Sequence, residues 1–195
     1  ATKLASDKLF VAGNAYAGSH DTRFSVVRYG NVMGSRGSVI PFFIKLKETG
    51  ELPITDPNMT RFMISLEEGV KLVWHAFDDM QGGEIYVKKI PSMTIPDIAT
   101  AVDEKAVQKT IGIRPGEKIH EQMIGLEDAP HTYEYDDHYK ILPAIYNWSS
   151  DPKRNKGGAK VDENFTYSSE QNKEWMSVKD LQQWIIANRE KIGQI

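Results

Sequence analysis

The chain has 195 residues, no cysteine and a formal net charge of -3 at pH 7. The lack of cysteine excludes disulfides and thiolate metal sites, and the weakly acidic balance gives no bulk attraction to nucleic acid or to anionic lipid. Hydrophobic residues at 40% and charged residues at 26% are typical of a globular protein. No apolar run approaches the roughly 18 residues that span a bilayer. From the charge, the lack of cysteine and the lack of such a run together, we expect a cytoplasmic protein with neither membrane nor nucleic-acid partners.

The N-terminal part of the chain predicts a helix, a strand and a second helix, in that order. Residues 2–17 fit a helix, and residues 24–29 form an apolar, β-rich run that leads into a loop, as in a buried strand of a parallel sheet. Ser38 is expected to cap a short helix that has Pro41 in its first turn and ends at Gly50.

The middle of the chain predicts another helix followed by a strand. Residues 65–68 have the capping-box spacing, and apolar residues recur after Ser65 at helical intervals, which predicts an amphipathic helix. These apolar residues are Leu66, Val70, Val73, Phe77 and Met80. Residues 84–88 then predict a strand.

The remaining residues predict shorter elements separated by loops. We expect, in chain order, a helix near 95–102, a strand near 107–113, a helix that starts at Gly116, a loop-rich aromatic region over 126–170, and a last helix capped by Ser177 and Asp180 that runs to about Arg189.

This order of elements fits the second half of a doubly wound parallel sheet, which belongs to the α/β class. Only two strong strand candidates are present for such a sheet, and the Gly-x-Gly-x-x-Gly loop that binds dinucleotide phosphates is absent from the sequence. From the residues alone we therefore predict an α/β fragment in which a loop after a strand faces a ligand.

Four sequence blocks resemble those of extended short-chain dehydrogenase/reductases. As a set they are similar to one subgroup of that family, the inverting UDP-N-acetylglucosamine 4,6-dehydratases. The blocks are residues 1–10 (ATKLASDKLF), residues 28–43 (RYGNVMGSRGSVIPFF), residues 53–56 (PITD) with 59–62 (MTRF), and residues 111–121 (IGIRPGEKIHE). Residues 165–169 agree, so the resemblance covers essentially the whole chain.

The resemblance implies the C-terminal part of a Rossmann-like doubly wound parallel sheet plus a smaller α/β substrate-binding domain. Residues 1–89 would be the remainder of the dinucleotide-binding domain with inserted substrate loops, and residues 90–195 a C-terminal nucleotide-sugar-binding domain. The family carries its acid/base tyrosine in a Tyr-x-x-x-Lys helix. If Lys3 is that lysine, the tyrosine precedes Ala1 by two positions, the chain is part of a larger enzyme, and the chain alone is inactive.

The resemblance also assigns a catalytic residue and a cofactor site. Lys3 would contact the nicotinamide ribose of NADP and favour the tyrosinate through its charge. We expect Gly30 and Gly34 to let the backbone approach a ligand closely. The segment that lines the nicotinamide side of the cofactor would comprise Val32, Met33, Gly34, Ser35 and Arg36.

The substrate site is expected to contain cations for a diphosphate. Arginine offers paired donors that match phosphate oxygens, whereas lysine offers a point charge. Arg114 lies just before a predicted helix start, where backbone N–H groups also favour anions. The residues assigned to the substrate are Asn31, Lys45, Thr55, Arg61, Arg114 and Glu117. No metal site is expected, since His120-Glu121 lacks the second histidine of a zinc helix.

The implied function is conversion of UDP-N-acetylglucosamine to a UDP-4-keto-6-deoxy sugar with inversion at C5, in bacterial pseudaminic-acid or related surface-glycan synthesis such as flagellin glycosylation. In the family scheme hydride leaves C4 for NADP, water is eliminated across C5 and C6, and the hydride returns to C6. The full-length protein would be a homo-oligomer. The alternatives are a 4-epimerase, a retaining dehydratase or a non-catalytic nucleotide-sugar-binding fragment.

Overall fold

The structure is a computed structural model, and it describes residues 2–18, 20–144 and 151–194. Helices of the described residues are α1 (Thr2–Tyr16), α2 (Val39–Leu46), α3 (Leu66–Asp79), α4 (Ile95–Val102), α5 (Pro152–Asn155) and α6 (Val178–Ala187), with 3-10 turns at Lys47–Thr49 and Ala129–His131. Strands are β1 (Val26–Arg28), β2 (Asn31–Val32), β3 (Glu51–Ile54), β4 (Thr60–Ile64), β5 (Ile85–Lys88), β6 (Ser92–Thr94), β7 (Val107–Thr110), β8 (Gln122–Ile124), β9 (Thr132–Glu134), β10 (His138–Ile141), β11 (Ala159–Lys160) and β12 (Tyr167–Ser168).

The chain folds into two compact units, and each unit is built from three separate segments. The first unit comprises Ala1–Tyr29, Glu67–Lys89 and Met123–Tyr167. The second unit comprises Gly30–Leu66, Ile90–Gln122 and Ser168–Ile195. The predicted division into residues 1–89 and 90–195 stays a prediction. The assignment of those two domains to cofactor and to substrate stays a prediction.

The first unit is organised around a mixed sheet in the strand order β1-β5-β10-β9-β11. Strands β1 and β5 are parallel, and β10, β9 and β11 extend the sheet in antiparallel fashion. The two strands that the sequence indicated most strongly are therefore neighbours, as an α/β fold requires. The prediction that residues 126–170 are loop-rich was wrong for β9 and β10, in which polar residues alternate with Tyr133, Tyr139 and Ile141.

Within the first unit, helix α3 packs through a face other than the apolar stripe that the sequence predicted. Leu72 and Ala76 are buried against Tyr86, whereas Val70 and Phe77, which belong to the predicted apolar stripe, are 44% and 60% exposed. The helix carries apolar residues on two faces, and the helical period does not decide which face meets the sheet.

The first unit also encloses a cluster of charged and hydroxyl groups. Lys140 is 2% exposed and lies 2.6 Å from Oδ2 of Asp79, and the Tyr86 hydroxyl donates to the same oxygen at 2.7 Å. Lys156 contacts the other carboxylate oxygen. Burial alone would raise the pKa of Asp79, but hydrogen bonds from Lys140, Lys156 and Tyr86 outweigh burial and lower it. Asp79 is therefore ionised in the folded protein.

The second unit holds the larger apolar core. Strand β2 is parallel to β4, β4 is antiparallel to β6, and β3 is parallel to β7. Helices α2, α4 and α6 cover a cluster of buried side chains that includes Phe43, Leu52, Met93, Ile98 and Leu181. Helix α4 has the predicted bounds, and the Ser177 and Asp180 capping box begins α6 as predicted. Among the described residues, no helix is long and apolar enough to cross a membrane.

One predicted helix of the second unit is absent. Residues 114–117 form a turn rather than a helix start, with Gly116 at a φ of 81° and the Glu117 N–H bonded to the Arg114 carbonyl at 3.0 Å. A proline followed by a glycine with a left-handed backbone is the pattern of a type II turn, which reverses the chain instead of starting a helix. The helix N-terminus that was expected to assist Arg114 in binding an anion is therefore not present.

Candidate functional site

A cleft of about 360 Å³ opens within the second unit. Such a volume lies in the range of small-molecule sites. The apolar lining residues are Val39, Phe42, Phe43, Pro53, Met59, Ile95 and Ile111, and the polar or small ones are Asn31, Gly37, Ser38, Thr55, Arg61, Arg114 and Glu117. The cleft thus offers apolar surface together with cationic, anionic and neutral polar groups.

The N-terminus of α2 forms part of the cleft. Ser38 is the N-cap residue in extended backbone, as predicted, but its hydroxyl makes no cap hydrogen bond. That hydroxyl is buried and has no partner among the described residues. Phe42, one turn further along, is 43% exposed at the cleft. The first backbone N–H groups of a helix lack intrahelical acceptors. In α2 these are the N–H groups of Val39 and Ile40, because Pro41 has none.

Arg61 lines the cleft, but its guanidinium is already bonded to backbone carbonyls. Nη1 donates to the carbonyls of Thr60 at 2.7 Å and Ile119 at 2.9 Å, and Nη2 donates to the carbonyl of Lys118 at 3.0 Å. The Arg61 side chain is 12% exposed. Arg61 therefore holds residues 118–119 against strand β4. Its positive charge lies at the cleft, but both N–H donors of Nη1 are already used by backbone carbonyls.

Arg114, unlike Arg61, is exposed. Its side chain is exposed and makes no hydrogen bond or ion pair with any described residue, and its backbone N–H donates to Oε2 of Glu117 at 3.3 Å. The other carboxylate oxygen of Glu117 lies 3.9 Å from Nη2 of Arg61. Glu117 thus ties the turn to Arg61 and leaves the Arg114 guanidinium available to an anion.

Glu121 connects the same segment to Asn31. With its amide nitrogen turned toward Glu121, Asn31 donates to both carboxylate oxygens, at 3.2 Å and 3.1 Å; this orientation follows from the hydrogen-bond network, because the opposite one faces oxygen against oxygen. Oε1 of Glu121 also lies 3.9 Å from Nε of Arg61. The backbone of Glu121 is held in turn by Ser169, whose Oγ accepts from the Glu121 N–H at 2.9 Å.

The cleft brings together most of the residues that the resemblance assigned to the substrate. These are Asn31, Thr55, Arg61, Arg114 and Glu117. Lys45 is exposed on α2 and is not among the lining residues. The sequence did not predict Ser38, Phe42 and Ile111 as residues of the site. The spacing of Val39, Phe42 and Phe43, which places them on one face of α2, could have indicated Phe42.

The residues assigned to the cofactor are placed differently. Lys3 is exposed on α1 in the first unit, and Arg36 is exposed in the second. Met33 is 4% exposed and belongs to the apolar core, so its side chain is not free for a cofactor. Val32 pairs with Ile64 in the sheet, and the Ser35 N–H bonds back to the Val32 carbonyl at 3.2 Å.

The two glycines expected to admit a ligand are required by the chain's own packing. A Cβ on Gly30 would lie 2.5 Å from Cβ of Phe62, and a Cβ on Gly34 would lie 2.9 Å from the Trp184 ring. Neither distance is tolerable for real atoms. Close contact between elements of the second unit is therefore sufficient to require glycine at both positions, and a ligand contact of their backbone stays a prediction.

Two proteins of known name resemble this chain over most of its length. It is 55% identical over 188 residues to "UDP-N-acetylglucosamine 4,6-dehydratase (inverting)" of Campylobacter jejuni, covering 93% of this chain and 56% of that protein. It is 41% identical over 145 residues to "UDP-glucose 4-epimerase" of Rickettsia canadensis, covering 72% of this chain and 42% of that protein. The chain thus spans about half the length of these relatives.

A solved structure confirms the fold class. The structure of Pen from Bacillus thuringiensis superposes with a TM-score of 0.81 at 29% identity, over 96% of this chain and 56% of that one. The dehydratase resemblance seen in the four sequence blocks is confirmed by the Campylobacter jejuni relative. A family model described as polysaccharide biosynthesis protein matches residues 1–143, and the chain belongs to that family.

Proposed function

We propose that the complete protein is a nucleotide-sugar dehydratase that converts UDP-N-acetylglucosamine to a UDP-4-keto-6-deoxy sugar with inversion at C5. The observation that carries this proposal is the 55% identity over 93% of the chain to a protein of that name. The cleft of the second unit supports it, because five of the six residues that the resemblance assigned to the substrate meet there.

Within the cleft, Arg114 is proposed to bind the diphosphate. It lines the cleft, it is exposed, and its guanidinium has no partner among the described residues. A guanidinium can donate two parallel hydrogen bonds to phosphate oxygens. The N-terminal end of α2, with the unpartnered Ser38 hydroxyl, supplies further donors nearby in the same cleft. Phe42 and Ile111 offer the apolar surface that a base or an acetyl group would cover.

The proposed reaction requires a nicotinamide cofactor, which would accept hydride from the sugar and return it. The residues assigned to that cofactor fit it only in part. Lys3 and Arg36 are exposed cations that could reach phosphate or ribose oxygens. The Met33 side chain does not fit as a cofactor contact, since it lies in the apolar core. We therefore derive no step of the reaction from these residues.

Several finer features are part of the same proposal and rest on the resemblance alone. They are NADP rather than NAD as cofactor, a homo-oligomeric full-length protein in the cytoplasm, a role in pseudaminic-acid or related surface-glycan synthesis, and inactivity of the 195-residue chain by itself. The absence of a Gly-x-Gly-x-x-Gly loop from the sequence supports the last of these.

A 4-epimerase is the second candidate, because the Rickettsia canadensis relative of that name is 41% identical over 145 residues. The two activities give different products. An epimerase returns an isomer of the substrate, whereas a dehydratase releases one molecule of water and leaves a 4-keto-6-deoxy sugar.

The deciding experiment incubates the complete protein with UDP-N-acetylglucosamine and either NADP or NAD in D₂O, followed by mass spectrometry and NMR. We expect a product lighter by one water, with deuterium at C5 and inverted configuration there. A product of unchanged mass would establish the epimerase instead. Tight UDP-N-acetylglucosamine binding without any product would favour a non-catalytic binding protein.

A further inference from the structure

Helix α1 is attached to the segment that contains strand β1 by two of its polar side chains. Oδ2 of Asp7 accepts from Nε of Arg28, the last residue of β1, at 2.8 Å. Two turns further along the helix, Oδ1 of Asn14 accepts from the Phe24 N–H at 2.9 Å, and Nδ2 of Asn14 donates to the Phe24 carbonyl at 3.0 Å. No described residue of α1 is buried, so the placement of this helix on β1 depends on these directional contacts.

The guanidinium of Arg28 is fixed by residues outside α1. Its Nη1 donates to Oδ2 of Asp128 at 2.8 Å and to the carbonyl of Met123 at 2.7 Å. The side chains of Arg28, Asp7 and Asp128 are 16%, 17% and 12% exposed, so solvent screens these ion pairs less than pairs on an open surface. Arg28 therefore offers the Asp7 carboxylate a partner whose position is determined by the rest of the first unit.

The two attachments place Lys3 near the carboxyl end of β1. Asp7 contacts the last residue of β1, whereas Asn14 contacts Phe24, which precedes that strand, so α1 runs antiparallel to β1. Lys3 comes four residues before Asp7, on the same face of the helix and about 6 Å further along its axis. Strand β1 is parallel to β5, and parallel sheets bind ligands beyond the carboxyl ends of their strands.

We propose that Asp7, held by Arg28, is a positioning residue that places Lys3 for its action on the acid/base tyrosine and on the nicotinamide ribose in the complete protein. The inference rests on the function proposed above. The electrostatic effect of a lysine on a tyrosine depends on the distance between them, so a displaced α1 weakens it although Lys3 itself is unchanged. A misplacement of about 1 Å can cost about 100-fold in rate.

The test compares Asp7→Ala with Asp128→Ala in the complete protein. Each removes one ion pair of 2.8 Å from the same guanidinium, but only Asp7 lies on the helix of Lys3. In Asp128→Ala, Arg28 keeps its contacts with Asp7 and with the Met123 carbonyl. We expect Asp7→Ala to lower kcat about tenfold to a hundredfold, and Asp128→Ala to have little effect on kcat. Asp7→Asn should recover part of the loss, because its amide oxygen can still accept from Arg28.

Two measurements separate positioning from a general loss of stability. In the double variant Lys3→Met with Asp7→Ala, the second substitution should cost nothing further, because Asp7 acts through Lys3, whereas independent effects would multiply. The loss of kcat in Asp7→Ala should also shrink at high pH, where the tyrosine ionises with less help. Urea unfolding of the same samples gives the folded fraction to which each rate is referred.

Hydrogen exchange followed by mass spectrometry tests the attachment without ligand or turnover. Asp7→Ala should speed amide exchange over Thr2–Tyr16, because α1 then opens more readily, and Asp128→Ala should not. Unchanged exchange of α1 or a wild-type kcat in Asp7→Ala, or a multiplied loss in the double variant, would overturn the inference. Wild-type protein that forms no 4-keto-6-deoxy sugar would instead refute the proposed function.

Discussion

Gly34 lies directly against the indole ring of Trp184. A Cβ on Gly34 would stand 2.9 Å from Cη2 of Trp184 and 3.3 Å from Ile192, and the Gly34 backbone has a φ of 73°. The Gly34 carbonyl also accepts from the Gly193 N–H at 2.8 Å. The residue that the sequence block offered as part of a cofactor loop therefore joins the C-terminal helix to the rest of the second unit.

Replacing Gly34 by Ala should destabilise the second unit for two separable reasons. The left-handed backbone costs roughly 1–2 kcal/mol for a residue with a Cβ, and overpacking against Trp184 adds roughly 1–3 kcal/mol. Gly50→Ala is the control, because Gly50 has a φ of 72° with nothing within 4 Å of its Cβ position. Urea unfolding should show a larger loss for Gly34→Ala. Equal losses would mean that Trp184 moves aside freely.

The ionised Asp79 carboxylate should stabilise the folded protein, and protonation of Asp79 should remove this contribution. Its pKa is lowered in the fold by Lys140, Lys156 and Tyr86, against the opposing effect of burial. A lowered folded pKa contributes stability that is present above the unfolded value near 4 and is lost as the pH falls below it.

The Asp79→Asn variant isolates this contribution, because it leaves Lys140, which is 2% exposed, without its counter-charge. Breaking one partner of a buried pair costs roughly 3–5 kcal/mol at neutral pH. The variant should also lose less stability than wild type between about pH 4 and pH 2. Asp78→Asn, at an exposed neighbouring position, should change neither quantity in denaturant titrations.

His138 should make the protein less stable in mild acid. Burial lowers its pKa, the neighbouring His75 lowers it further, and Asp137 only partly opposes this. Its Nε2 is buried without a partner among the described residues. The native state therefore holds neutral His138, and its contribution is present above the unfolded value near 6.5 and lost as the pH falls.

The slope of stability against pH is the measurement that checks His138. Each proton taken up only by the unfolded chain changes the slope by up to about 1.4 kcal/mol per pH unit. His138→Phe keeps a ring stacked on Tyr135, which lies 4.6 Å away and parallel, and removes the titration. We expect a flatter profile below about pH 6.5 than in wild type or in the exposed control His20→Gln. A profile parallel to wild type would contradict the assignment.

Sequence patterns predicted the helices whose capping residues and apolar spacing match the way they pack in the fold. Helix α4 has the predicted bounds, and α6 begins at the predicted capping box, because caps act over one turn of chain. Strands β3, β4 and β6 were missed, since short strands with few alternating positions resemble loops. The face of α3 was missed because apolar side chains lie on two sides of that helix.

The sequence predicted most of the polar residues that line the cleft, but not the hydrogen bonds that they make. Five of the six residues that the resemblance assigned to a substrate line one cleft, and they were chosen from the motif blocks rather than from spacing. Which donors are free is a tertiary property. Arg61 and Arg114 look equally suited to phosphate in the sequence, yet the first is bonded to three carbonyls and the second to none of the described residues.

Lys3 offers a test of the proposed catalytic role in the complete protein. Lys3→Met should lower turnover steeply, because an uncharged side chain cannot favour a tyrosinate, and the loss should shrink at high pH where the tyrosine ionises unaided. Lys8→Met, exposed on the same helix, is the control and should retain wild-type turnover. A wild-type pH–rate profile for Lys3→Met would identify Lys3 as a surface lysine.

Arg114 and Arg61 should respond differently to substitution, although both line the cleft. Arg114→Ala should weaken UDP and UDP-N-acetylglucosamine alike, by about tenfold to a hundredfold, the equivalent of roughly 1.5–3 kcal/mol for a charge-assisted hydrogen bond. The thermal stability of Arg114→Ala should be unchanged, because the exposed guanidinium makes no hydrogen bond or ion pair with the described residues. Arg114→Lys should recover part of the affinity, since an ammonium cannot make a two-pronged contact.

Arg61→Ala should instead lower stability first. It removes the hydrogen bonds to the Thr60, Lys118 and Ile119 carbonyls, and an unsatisfied buried group costs roughly 1–3 kcal/mol. UDP affinity should then fall because residues 114–119 are no longer fixed, and Arg61→Lys should restore little, since one ammonium cannot span those carbonyls. Calorimetry and thermal unfolding on the same samples separate the two residues. Full stability with lost UDP affinity in Arg61→Ala would show that Arg61 exchanges its carbonyl contacts for the diphosphate when the ligand binds.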